Sequence, residues 1–399
     1  MEECNKIEIQ HICSNICSGG TPKSTIAEYY GGNIPWLNTK EINFNRIYKT
    51  EKTITDEGFN NSSAKWIPSN SVIVAMYGAT AGKTAITQIP LTTNQACCNL
   101  TIDSTKADYR FVYYALCNNY SYLASLANGG AQQNLNAKQI KEFEIPFPSL
   151  REQKRIADIL FSLDDKIELN RRINDNLEQQ AQALFKAWFV DFEPFKNGKF
   201  VESELGMIPE GWRIVSFSSF ISPINEKVLV GNLPEYSVTN NGIIPRSEKY
   251  KKQLSNSNSQ NKVLRKNNLV FGMSREILNW GIMMDEIGSV SSAYNIYDVN
   301  PLIINPLYLK YYMESHISSF NDLIGTAARE GQALDKGALN NKVIYIPTHE
   351  VWNKFLRLDQ FLRTMQRRNL HEIRNLEQLR DTLLPKLMSG ELEINNLNR

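Results

Sequence analysis

The chain has 399 residues, 42% of them apolar and 22% charged, and a net charge of +2. That length and apolar content suit two or three folded domains and exclude a disordered chain. The near balance of charge excludes a globally basic nucleic-acid binder, so any DNA contact must come from local clusters of Lys and Arg.

Residues 1–148 mix short β-rich runs with turn clusters. Ser71–Met76 and Ala85–Ile89 read as strands, Asp108–Leu126 has helical apolar spacing, and Lys141–Pro148 closes the region as an extended, Pro-stopped segment. All six cysteines fall in this part of the chain, at 4, 13, 17, 97, 98 and 117. The N-terminal MEECNKIEIQ lacks a signal-peptide pattern, so free thiols and a cytoplasmic location are expected. His11, Cys13 and Cys17 lack the C-x2-C pairing of a zinc site, and no metal is expected. No apolar run approaches the roughly 18 residues a membrane span needs.

Leu150–Phe189 contains neither Gly nor Pro. Ile156, Leu160, Leu163, Ile167, Asn170, Asn174, Leu177, Ala181, Leu184 and Trp188 alternate spacings of four and three, the seam of a coiled coil. A helix of that length runs about 60 Å, more than one small core requires. Residues 191–212, with Pro194, Gly198, Gly206, Pro209 and Gly211, have linker composition. A second β-rich region spans 213–347, with a strand at Val270–Met273, a helix at Pro306–Ile317, an extended close at Lys342–Pro347 and an exposed polar loop at Lys251–Lys262. From Val351 a second rod begins. Its apolar spacing predicts a seam through Phe355, Leu358, Leu362, Met365, Asn369, Glu372, Leu376, Leu379 and Leu383.

The halves repeat. Asn176-Leu177-Glu178-Gln179 recurs 199 positions later as Asn375-Leu376-Glu377-Gln378, and the same shift pairs Pro148 with Pro347, Ile145 with Ile344, Leu135 with Leu334 and Gln133 with Gln332. Tyr113-Tyr114 meets Tyr311-Tyr312 at 198. The expected fold is α/β (α+β), with two domains separated by two long antiparallel helices in a coiled coil, related by a pseudo-two-fold. The segments are 1–148, a helix at 149–190, a linker at 191–212, a second domain at 213–347, a second helix at 348–390 and a tail at 391–399. Two heads held a fixed distance apart suit a long ligand such as duplex DNA.

Catalytic motifs fail on inspection. Gly78-Ala79-Thr80-Ala81-Gly82-Lys83-Thr84 has one residue too few between its glycines for a phosphate-binding loop, and the residues after it read as strand. It fits a hairpin turn whose Lys83 could meet a DNA phosphate. Asn305-Pro306-Leu307-Tyr308 lacks the second proline of an amino-methyltransferase loop, and no dinucleotide fingerprint or nucleophile–His pair is present. No catalytic residue is expected. Base readout would use polar loop residues. The candidates are Thr21, Lys23, Ser24, Lys40, Lys83, Asn94, Gln95, Gln132, Gln133 and Asn134 in the first domain. In the second they are Thr239, Asn240, Asn241, Arg246, Ser274, Arg275, Arg329 and Gln332.

Ser18-Gly19-Gly20-Thr21-Pro22 followed by Ile34-Pro35-Trp36 resembles the target-recognition domain of a type I restriction–modification specificity subunit. So do Gly78–Thr84, the run Ile145–Gln153 (IPFPSLREQ) and the run Glu204–Trp212 (ELGMIPEGW). The similarity covers nearly the whole chain, although the second domain lacks both the GGTP and the IPW motif. The resemblance implies two target-recognition domains, each reading one half of a bipartite, asymmetric DNA site. It also implies spacer helices that dock two methyltransferase subunits, with motor–nuclease subunits joining the full complex. S-adenosylmethionine and ATP would be held by those partners, and this chain would carry no cofactor. Two alternatives remain open: a two-headed protein-interaction scaffold without DNA binding, or a similar subunit from another restriction type.

Overall fold

A computed structural model describes residues 5–127, 134–229, 233–240, 242–246, 260–272, 277–324 and 334–392. The chain divides into two compact units, Met1–Arg172 with Arg368–Arg399, and Ile173–Arg367. Two helices of 40 residues, Leu150–Phe189 and His349–Met388, lie 199 positions apart at both ends, and each gives one part of its length to each unit. Neither they nor any other helix among the described residues is long and apolar enough to cross a membrane.

The first unit is built on a five-stranded sheet. Its order is Cys13–Ser18, Cys97–Ile102, Val72–Ala75, Thr84–Thr87 and Asn45–Ile47. Val72–Ala75 is buried on both faces, which explains its unbroken apolar run. One face packs on the helix Tyr109–Asn118, whose N-cap Asp108 accepts from Arg110 N. A smaller sheet places Tyr30–Leu37 between Lys52–Ile54 and Thr92–Thr93. The strand pair Lys6–Glu8 and Glu144–Pro146 leads into the first long helix.

The second unit repeats the plan with a four-stranded main sheet. Its sheet runs Ile221–Ile224, Asn295–Val299, Leu269–Phe271 and Trp280–Ile282. The pair Arg213–Ser216 and Val343–Ile346 matches the entry pair of the first unit. Residues 191–212 do not form the open linker their composition predicts. They fold as a hairpin, Phe200–Ser203 against Gly206–Pro209, and bury Ile208 and Trp212 in an aromatic core with Phe185, Phe189, Tyr308 and Phe355. Aromatic burial outweighs the turn residues there, since each ring removes a large apolar area from water. The polar loop expected at Lys251–Lys262 lies mostly outside the described residues; its last residue, Lys262, begins a strand.

Within each unit the long helices run antiparallel. In the first, Asp164 meets Arg380 at 2.8 Å, Arg171 meets Glu377 at 2.6 Å, and Asn170 donates to Glu372 at 3.0 Å. In the second, Arg363 pairs with Glu178, and Asn174 and Gln366 exchange side-chain to backbone bonds at 3.4 and 3.2 Å. Along the first helix Ile156, Leu160, Ile167, Asn170, Leu177 and Ala181 are buried, and Leu163, Asn174, Leu184 and Trp188 half-buried.

The second helix corrects a third of its predicted seam. Phe355 is buried and Leu362, Asn369, Leu376 and Leu383 are half-buried, but Leu358, Met365 and Leu379 point outward, 47%, 39% and 47% exposed. The inward positions are the next residues along, Asp359, Gln366, Ile373 and Arg380. Three of these are polar, and each finds a partner. Asp359 accepts from Tyr311 at 2.6 Å, Gln366 bonds Asn174, and Arg380 bonds Asp164. Satisfied polar groups tolerate burial that unpaired ones do not.

Candidate nucleic-acid interface

Antiparallel pairing decides which loops meet in the first unit. Cys13–Ser18 and Val72–Ala75 end at the edge of the sheet where Cys97–Ile102 and Thr84–Thr87 begin. Loops 19–24, 93–96 and 76–83 therefore share one end of the sheet. Asn134 joins them through a bridge to Tyr77, and Leu135 N donates to Met76 O at 2.8 Å. Polar side chains far apart in sequence are brought together in this way.

Two motifs shape that end. Gly20 N donates to Thr93 O at 2.8 Å, and a Cβ on Gly20 would lie 2.2 Å from the backbone of Ser63 and Ala64. Only glycine permits such an approach. Trp36 of the IPW run donates its indole N–H to Gly20 O at 2.9 Å, so the second motif holds the first in place. Thr21 Oγ1 then donates to Gln95 Oε1 across the junction of the two loops. Thr21, Lys23, Ser24, Gln95 and Asn134 are exposed there.

The other candidates fall differently. Asn94 is only 8% exposed; its Oδ1 accepts from Ala96 N at 3.2 Å and Cys97 Sγ at 3.1 Å, so it builds the turn. Lys83 is half-buried and donates to Asn43 Oδ1 beside the Phe44 ring. Lys40 is exposed and paired with Glu51 at 2.5 Å; that hydrogen bond and the neighbouring charge raise its pKa. In the second unit Thr239 is 9% exposed and donates to Gly242 O at 3.2 Å, holding the hairpin Tyr236–Pro245. Arg246 lies 3.7 Å from Glu235, its side chain 19% exposed. Thr239 is structural by placement, because short polar side chains near turns bond their own backbone first. Asn240 lines a cavity of about 590 Å³ that also includes Trp280 and Tyr236. Gln132, Gln133, Asn241, Ser274, Arg275, Arg329 and Gln332 lie outside the described residues.

Sequence reasoning missed the contact that fixes the first sheet to its helix. Arg46, with a side chain 7% exposed, stacks over Phe161 at 3.5 Å, donates to Phe161 O at 3.2 Å and pairs with Asp165. Tyr48 adds a 2.7 Å bond to Glu168. The signal available was weak: a lone Arg in a strand of three residues. Among the described residues no group of three or more His, Cys, Asp or Glu is placed to hold a metal ion.

Residues 1–179 match the model of the type I restriction modification DNA specificity domain. The MjaIX specificity subunit of Methanocaldococcus jannaschii, a type I restriction enzyme component, is 29% identical over 96% of this chain and 92% of its own. The chain is similar to type I restriction specificity subunits along nearly its whole length. A second relative, the EcoR124I/EcoR124II specificity subunit of Escherichia coli, is 28% identical over 43% of each chain. The crystal structure of a type I restriction–modification S subunit from M. genitalium aligns over 97% of both chains at 18% identity with a TM-score of 0.50, which supports the fold. Specificity subunits are the non-catalytic components of their systems, in keeping with the failed catalytic motifs of the sequence.

Proposed function

We propose that this chain is the DNA-reading subunit of a type I restriction–modification complex. Each unit reads one half of a bipartite, asymmetric site, and the paired helices set the spacing between the halves. The observation that carries this reading is the gathering of exposed Thr21, Lys23, Ser24, Gln95 and Asn134 at one sheet end. Side chains of this kind supply both phosphate contacts and base-edge hydrogen bonds.

The same reading assigns S-adenosylmethionine and ATP to partner methyltransferase and motor–nuclease subunits, adenine as the methylated base, and a cytoplasmic location. In the second unit Leu358, Phe361 and Met365, spaced by three and four, leave one face of the second helix apolar and open to solvent, Phe361 at 66%. That row is where a methyltransferase subunit would dock, because a contiguous exposed apolar patch marks an interaction surface. The near-neutral net charge fits a subunit that shares its phosphate contacts with such partners.

The test is binding of the complex with its methyltransferase subunits to duplex DNA across a salt series. Affinity should fall linearly with the logarithm of salt concentration, and one bipartite sequence should be preferred at each salt. Absence of binding at every salt would sink the reading and leave the protein-scaffold alternative.

A further inference from the structure

The turn before Cys97–Ile102 in the first unit is built like the turn before Asn295–Val299 in the second. In the first, Asn94 Oδ1 accepts from Ala96 N at 3.2 Å, and Cys97 N returns to Asn94 O at 3.2 Å. In the second, Ser291 Oγ accepts from Ala293 N at 3.3 Å, and Tyr294 N returns to Ser291 O at 3.1 Å. Strand register makes the match residue for residue. Val72 faces Leu100 and Val74 faces Cys98 in the first sheet, while Leu269 faces Tyr297 and Phe271 faces Asn295 in the second. All four pairs of equivalents are 197 positions apart, and that shift carries Asn94 to Ser291 and Gln95 to Ser292.

The sheets agree on direction as well. Ile221–Ile224 and Leu269–Phe271 end where Asn295–Val299 and Trp280–Ile282 begin, as their equivalents do in the first unit. The turn Ser291–Tyr294 thus occupies the end of its sheet that corresponds to the loop end of the first. Lys262 Nζ pins it by donating to Tyr294 O at 2.8 Å. Ser292 is exposed at the tip, as Gln95 is. The cap residues Asn94 and Ser291 turn inward to hold backbone, which leaves the next residue in each turn to face outward.

We propose that Ser292 is a base-reading residue of the second unit, standing where Gln95 stands in the first. This rests on the DNA-reading function proposed above. A serine hydroxyl can donate to or accept from a base edge, and Gln95, with its carbonyl taken by Thr21, offers its amide nitrogen as donor. The two turns therefore read different chemistry from the same scaffold position.

The experiment uses the full chain with its methyltransferase subunits, methylating a randomised DNA library that is then sequenced for modified bases. Ser292→Ala should relax one position of one half-site by about tenfold, the range of a lost base contact. Ser292→Arg should abolish or redirect that position, and Gln95→Ala should act on the other half-site alone. Ser292 is exposed, so the variants fold, and a melting temperature within a degree or two of the parent's verifies it. If the parent reads a bipartite site and both Ser292 variants keep its profile, the assignment of Ser292 is wrong while DNA reading stands. If the parent itself shows no sequence preference, DNA reading fails and the assignment with it.

Discussion

At the scale of single residues, close approach and burial decide what each polar group can do. Gly20 is the sharpest case, since its backbone lies against Ser63 and Ala64. Gly20→Ala should destabilise the first unit by about 1–3 kcal/mol, the usual cost of overpacking, and a thermal melt would detect it; an unchanged melt would mean the loop has room. Glu178 offers a test by pH. Burial raises its pKa, but the ion pair with Arg363 wins and holds the carboxyl below its ordinary value of 4.5. A group with a depressed folded pKa contributes stability above its unfolded pKa and loses it as pH falls through the folded one. The parent should therefore lose stability below about pH 4.5 more steeply than Glu178→Gln, and identical acid limbs would contradict this. Asn94 shows why such roles escape a sequence: nothing local separates an Asn that reads a base from one that caps a turn.

At the scale of elements, the two long helices were legible in their bounds and only partly in their register. The apolar 4-3 rule chose Leu358, Met365 and Leu379 because they are apolar, whereas the inward positions carry Asp359, Gln366 and Arg380. Shifting the first helix's seam by the repeat distance of 199 lands on Asp359, Gln366, Ile373 and Arg380. The repeat was thus a better guide than hydrophobicity. It succeeds because backbone geometry is inherited by both halves, while each polar station is matched to a partner far along the chain. Two substitutions separate the registers. Arg363→Met leaves Glu178 and the 1%-exposed Asp359 without their cation, and should cost about 3–5 kcal/mol. Leu358→Asn should stay within about 0.5 kcal/mol in the isolated chain. Chemical denaturation reads both, and the reverse order would restore the apolar register.

At the scale of the whole molecule, the repeat made the fold plan readable while the readout surface stayed hidden. The sequence motifs GGTP and IPW pointed to the first sheet end, and Trp36 and Gly20 meet there. The second unit lacks those motifs, and its turn at Ser291–Tyr294 emerges only from strand register. Inserting seven residues into each long helix, Leu150–Phe189 and His349–Met388, two turns at about 3.6 per turn, should widen the gap between half-sites and leave the bases of each unchanged. Methylation sequencing would show a change in recognised bases if the helices do more than space the units.

The central claim is that two independent units each read half of one DNA site. Its most direct measurement is the methylome of a host carrying this chain and its methyltransferase partners, before and after residues 1–148 are exchanged for those of a relative. The account predicts a bipartite motif in which only one half changes. A motif that changes in both halves, or methylation that does not depend on this chain, would contradict it.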